Sequence, residues 1–144
     1  VVREGGLTSY AASLHNLAGL YDSLGEYAKA EPLYRQALEI TRAALGEGHP
    51  DYATSLNNLA ALLLERQEFA AAGEYLKPAL ALCDLHGLAT TRGYVLTNLA
   101  GVEIILNMRE KMAEMQHEVN EFIDNGEYCL SPSGSSQVFC FSVY

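Results

Sequence analysis

Any chemistry in this 144-residue chain must come from four histidines, three cysteines and a recurring asparagine. Cys83 and His86 lie three residues apart, a spacing that puts a thiolate and an imidazole on one face of a helix. A structural zinc centre takes four ligands. No other pair here has suitable spacing, so Cys83 reads as core and no metal is expected. His15, His49 and His117 have no serine or cysteine nucleophile pattern near them, and there is no glycine-rich phosphate loop and no HExxH pattern. Neither catalysis nor a cofactor is expected. That leaves the amides. Asn16, Asn58 and Asn98 stand at the same place in LHNLAGLY (14–21), LNNLAALL (56–63) and LTNLAGVE (96–103). A primary amide both donates and accepts, so a row of them could bond a peptide's main chain without reading its side chains.

The elements that must position those amides are legible in the spacing. The three segments recur at 42 and 40 residues, a period that marks stacked supersecondary units. Leu14, Leu17, Ala18, Tyr21 and Leu24 follow one another at three- and four-residue steps and make one face of a helix. Gly25 can end it, and Tyr27, Ala30, Tyr34, Ala37 and Leu38 form a second apolar stripe. After the loop GEGHPD, Pro50 suits the start of the next helix. The second unit repeats the plan with Leu56, Leu59, Ala60 and Leu63, Gln67 in place of the turn glycine, then Phe69, Ala72, Leu76, Ala79 and Cys83, ending at His86-Gly87. The third opens with Leu96, Leu99 and Ala100 and is expected to turn at Asn107, a residue tolerant of left-handed geometry. Its second helix carries Met108, Met112, Met115, Val119 and Phe122, bulky groups where alanines stood before. Methionines suit adaptable binding surfaces as well as cores, but the amphipathic period favours this stripe as core packed against the third first-helix. Pro78 sits deep in the second unit's second helix and predicts a kink near 74–78 rather than a break.

Composition narrows the partners. Nine Lys and Arg against 18 Asp and Glu give a formal charge of −9, which repels phosphate backbones and anionic lipid. Nucleic acid and membrane partners are disfavoured, and a neutral to basic peptide or protein fits better. Three cysteines without a disulfide framework suggest a reducing compartment, hence a cytoplasmic location. VVREGGLTSY has no signal-peptide hydrophobic region, and without an initiating Met it reads as the start of a fragment.

The pattern Leu14, Leu17, Ala18, Tyr21, Gly25, Tyr27, Ala30, Tyr34, Ala37 resembles the tetratricopeptide repeat (TPR). The long period and the segments AEPLYRQALEI (30–40) and ALGEGHPDYATSLNNLA (44–60) resemble its kinesin-light-chain variety, which also occurs in sensor regions of large signalling ATPases. The resemblance covers about residues 8 to 123. It implies an all-α fold, an alpha-alpha superhelix of about three helix-turn-helix repeats, at about 8–49, 50–89 and 90–126 of a domain spanning 1–126. It also implies extended peptides bound on a concave face lined by the first helices. At about 100° per residue, that face takes Ala12, Asn16 and Gly19 from the first unit. It takes Thr54, Asn58 and Ala61 from the second, and Tyr94, Asn98 and Gly101 from the third. The small residues would let a peptide main chain approach closely. The same asparagines could instead bond a neighbouring helix and set the pitch of the stack.

Some members of the family clamp a C-terminal carboxylate with Lys or Arg beside such asparagines. The flanking positions here, Ala12, Thr54 and Tyr94, and His15, Asn57 and Thr97, hold no such base. The function expected is a non-catalytic scaffold binding a peptide in this groove, with a purely architectural or regulatory segment of a larger signalling protein as the alternative. The segment 127–144 stands outside the repeat. Its uncharged, aromatic end, Gln137–Tyr144, is β-prone, low order is expected there, and Cys129 and Cys140 are expected as free thiols.

Overall fold

The computed structural model describes residues 4–124. Five helices follow in chain order: α1 Glu4–Ser23, α2 Tyr27–Leu45, α3 Pro50–Glu65, α4 Phe69–His86 and α5 Ala89–Asp124. No strand occurs among the described residues, so the fold is all-α and built of helix-turn-helix repeats, as expected. The chain divides into two compact units between Ile105 and Leu106, a boundary inside α5. The tail 127–144, with Cys129 and Cys140, lies outside the described residues.

In the first unit α1 pairs with α2, α3 pairs with α4, and α2 packs on α3. The two interhelix turns match bond for bond. Glu26 N–H donates to the Tyr21 carbonyl and Glu68 N–H to the Leu63 carbonyl, both at 2.8 Å. Gly25 takes φ 74° and Gln67 takes φ 63°, the left-handed turn that glycine adopts freely. Gln67 bears a Cβ there, which costs about 1 kcal/mol. Between the repeats, His49 caps α3 by accepting the Asp51 N–H at 3.1 Å on its Nδ1, and Pro50 takes the first helical position. Gly87 ends α4 at φ 64°, with its N–H donated to the Cys83 carbonyl. Both α2 and α4 run unbroken through their prolines, whose rings are exposed.

The core is one cluster shared by the two hairpins. Leu56, Leu59, Leu62, Leu63 and Leu76 are buried, with Ala18, Ala30, Ala60, Ala72 and Ala79 where helices approach closely. Each buried leucine contributes about 2 kcal/mol. Cys83 belongs to this cluster, and burial pushes its thiol upward. Polar ties add to the join. Glu31 pairs with Arg35 and with Arg66, and Arg35 Nη1 donates to the Tyr75 hydroxyl at 3.1 Å. Exposed pairs of this kind are worth under about 1 kcal/mol each.

Two expectations about packing are corrected. Leu17 on α1 and Leu24 in the turn that follows it are exposed, whereas Leu59, the counterpart of Leu17, is fully buried. Helix α3 follows a helix pair, whereas among the described residues α1 has none before it. The larger correction concerns the third repeat. No turn forms at Asn107, because Ala89–Asp124 is a single helix of 36 residues. Its buried residues in the first unit are Val95 and Val102, while Leu96 and Ala100 are exposed. In the second unit Met108, Met112, Met115 and Val119 are exposed rather than core.

The cause is legible at equivalent positions. Second helices anchor on Tyr27 and Tyr34, or Phe69 and Leu76, and come close at Ala30 and Ala37, or Ala72 and Ala79. The third set reads Arg109, Gln116, Met112 and Val119. The anchors have become polar and the close-approach alanines bulky, and overpacking such a site typically costs about 1–3 kcal/mol.

Candidate functional site

Residues four apart on one helix share a face, and α1 and α3 are equivalent helices of successive repeats. Ala12 and Asn16 on α1 and Thr54 and Asn58 on α3 therefore line one cleft of about 380 Å³. His15, Thr41, Asp51 and Ser55 are part of its lining, and Thr8, Ala11 and Leu45 complete it. Thr41 and Ser55 are buried. The Thr41 hydroxyl donates to the Ala37 carbonyl at 2.9 Å and the Ser55 hydroxyl to the Asp51 carbonyl at 3.0 Å. These hydroxyls tie the cleft to α2 and α3. The groups open to an incoming molecule are the amides of Asn16 and Asn58, the Thr54 hydroxyl and the Asp51 carboxylate, a set rich in acceptors.

His15 is the unusual member. Its Nε2 is buried and has no hydrogen-bond partner. Burial lowers its pKa, outweighing the hydrogen bond to the Ala11 backbone and the Asp51 charge, both of which raise it. The ring packs 5.9 Å from Tyr34, tilted by 52°. With the ring donating to Ala11, the neutral imidazole is left with Nε2 as an acceptor.

The next junction differs. Asn98 Nδ2 donates to Asn57 Oδ1 at 3.1 Å, linking α5 to α3 in the first unit. In the repeat pattern Asn57 corresponds to His15 and Asn98 to Asn58. The equivalent bond at the first junction would join Asn58 to His15 Nε2, and that nitrogen is unpartnered.

The structure thus brings together four of the nine residues expected in the groove, Ala12, Asn16, Thr54 and Asn58. Gly19 lies in a separate shallow cleft with Asp22 and Glu65, where burial first and the Glu65 charge second push the Asp22 carboxyl upward. Ala61 and Gly101 are half-buried, and Tyr94 is exposed. The amide of Asn98 is engaged by Asn57. The sequence reading placed neither His15 nor Asp51 in the cleft. The available signal was the pairing of positions 15 and 57 one residue before each asparagine. Among the described residues no helix is long and apolar enough to cross a membrane, and no group of three or more His, Cys, Asp or Glu gathers in metal-binding range.

Comparison with known proteins adds three findings. The sequence model of the tetratricopeptide repeat matches residues 9–84. A nucleotide-binding leucine-rich repeat (NLR)-like protein of Hyaloscypha variabilis (strain UAMH 11265 / GT02V1 / F) is 50% identical over 38 residues, which are 26% of this chain and 4% of that protein. The crystal structure of BtubC (BKLC) from P. vanneervenii superposes with a TM-score of 0.53 at 21% identity, over 96% of this chain and 57% of that one. The chain thus spans a small fraction of the curated relative and a little over half of the solved one.

Proposed function

This chain belongs to the tetratricopeptide repeat family, whose members generally act as non-catalytic mediators of protein–protein interaction, and on that premise we propose that its α1–α3 cleft receives an extended peptide or protein segment. The observation that carries the reading is the convergence of the Asn16 and Asn58 amides, one from each of two successive repeats, on a single cleft. An amide pair across a groove suits a peptide main chain, which offers donors and acceptors at every residue. Asp51 on the cleft wall and the formal charge of −9 favour a neutral to basic ligand over nucleic acid or anionic lipid. The module is of the kinesin-light-chain-like variety and works in the cytoplasm.

A peptide-library capture followed by calorimetry tests this. Replacing Asn16 and Asn58 together by Ala should weaken the captured peptide by about ten- to a hundredfold, two hydrogen bonds' worth. Asn98→Ala should leave affinity unchanged and lower the melting temperature. Full affinity in the double variant would rule the cleft out. One observation favours a second reading, an architectural or regulatory segment of a larger signalling protein. Asn98 bonds Asn57 rather than lining the cleft, as a pitch-setting amide would. The short match to the NLR-like protein agrees with that setting.

A further inference from the structure

In the second unit, Met108, Met112, Met115, Val119 and Phe122 advance by four, three, four and three residues. That is the a/d spacing of a coiled-coil seam, with Met112 and Val119 at a and the others at d. Met108 is 59% exposed, Met112 63%, Met115 57% and Val119 46%. The opposite face carries Glu110, Glu114, His117 and Glu121, all exposed. An apolar seam of this length on an otherwise polar helix calls for a partner. A fold-back onto its own repeat is opposed by Met112 and Val119 at the close-approach alanine positions and by Arg109 and Gln116 at the anchor positions.

The residues beside the seam indicate what the partner is. Lys111 and Glu118 take the g positions, and Arg109 and Gln116 the e positions. In an antiparallel pair each a residue faces a d residue of the other helix, and g faces g. One register then pairs four of the five seam residues at once, with Phe122 beyond the paired layers. Met112 stacks on Met115 of the second copy, Met108 on Val119 of the second copy, and the two-fold axis repeats both layers. Lys111 meets Glu118 of the second copy on each side, and Arg109 meets Gln116, so no like charges oppose. A parallel pair would set Lys111 against Gln116 and Glu118 against Ile123, with no ion pair at all. We propose that residues 108–122 form an antiparallel two-stranded coiled coil with the same helix of a second copy of this chain. The surface is self-complementary, as a two-fold interface requires. Methionine lets the layers adjust while they exclude water.

Sedimentation equilibrium of the full chain under reducing conditions, over about 5 to 200 µM where a seam this short should associate, tests the proposal. The chain should show a monomer–dimer equilibrium. Met112→Glu with Met115→Glu should give monomer at every concentration, with helix content by circular dichroism retained. Lys111→Glu alone, and Glu118→Lys alone, should each weaken the dimer by about tenfold. The double exchange K111E/E118K should restore it, because each pair is rebuilt with its charges reversed. Three results would overturn the proposal: a wild-type chain monomeric throughout, a dimer that survives the two glutamates, or a double exchange no tighter than the single ones. The first two reject the face, and the third rejects the antiparallel register.

Discussion

The α3–α4 hairpin and helix α5 use nearly the same length of chain and start from nearly the same words, LNNLAALL and LTNLAGVE, yet one folds back and the other runs on for 36 residues. The difference teaches that the first-helix motif does not by itself make a repeat. Leu59 and Leu62 are fully buried in the core shared by the two hairpins, and Val102, at the position of Leu62, has its Cγ1 3.4 Å from where a Cβ on Gly73 would stand. Part of a first helix's apolar surface is thus buried against the preceding repeat, whatever follows it. Closing the hairpin is decided by four residues of the second helix, two large anchors and two alanines. In α4 these are Phe69, Leu76, Ala72 and Ala79, and past Asn107 none of the four is kept.

The strongest way to break this comparison is to truncate the same leucine in both repeats. Leu56 is 2% exposed in the core of the two hairpins, and its counterpart Leu96 is 36% exposed. Leu56→Ala should cost about 3 kcal/mol, the transfer loss plus a cavity in the shared core. Leu96→Ala should stay within about 1 kcal/mol, as for a surface position. Urea denaturation of each variant measures both. Equal costs would mean that Leu96 is covered, and α5 would then have to be a closed hairpin in solution.

A gentler test moves glycine through the turn positions. Gln67 occupies left-handed φ in the second repeat, and Asn107 occupies helical φ in α5. Gln67→Gly should stabilise by about 0.5–1 kcal/mol, because it removes the Cβ strain. Asn107→Gly should destabilise, by roughly half a kilocalorie, because glycine is the poorer helix former. The two changes thus carry opposite signs at equivalent positions. If Asn107→Gly stabilises instead, the third turn is forming, and the Cα chemical shifts of residues 104–110 would show the break.

The sequence disclosed those parts of the molecule whose physics is local. Gly25 and Gly87 mark helix ends because only a left-handed residue closes that turn, and Pro50 marks a start because its missing N–H is not needed there. The stripes of α1 to α4 follow from helical period alone. What the sequence did not disclose depends on a partner. Asn107 is a plausible turn residue, but whether it turns is set by Met112 and Val119 a full turn and more away. In the candidate site, the pattern put Asn16 and Asn58 on one face. It did not distinguish them from Asn98, since an amide's orientation is chosen by whatever lies across the junction, here Asn57. His15 was invisible for the same reason. A histidine one residue before the repeated asparagine has no meaning until its ring is seen against Tyr34 with Nε2 unpartnered.

That imidazole gives the smallest and most specific test, because it sharpens the contrast between the two junctions. Burial holds the His15 pKa below its ordinary 6.5, so the ring is neutral in the folded chain where the unfolded chain begins to protonate. Between those two values the unfolded state binds more protons, and stability rises with pH across the window. His15 therefore contributes its full share above pH 6.5, and that share is lost as pH falls from 6.5 through the lower folded value. Its counterpart Asn57 does not titrate, so the second junction should be indifferent over the same range. The stability of the wild-type chain minus that of His15→Gln, from urea midpoints between pH 7.5 and 5, isolates the effect from every other titrating group. The difference should shrink steadily as the solution is acidified. A difference that stays flat would mean the ring is solvated, with Nε2 open to water and the first junction looser than its packing against Tyr34 implies.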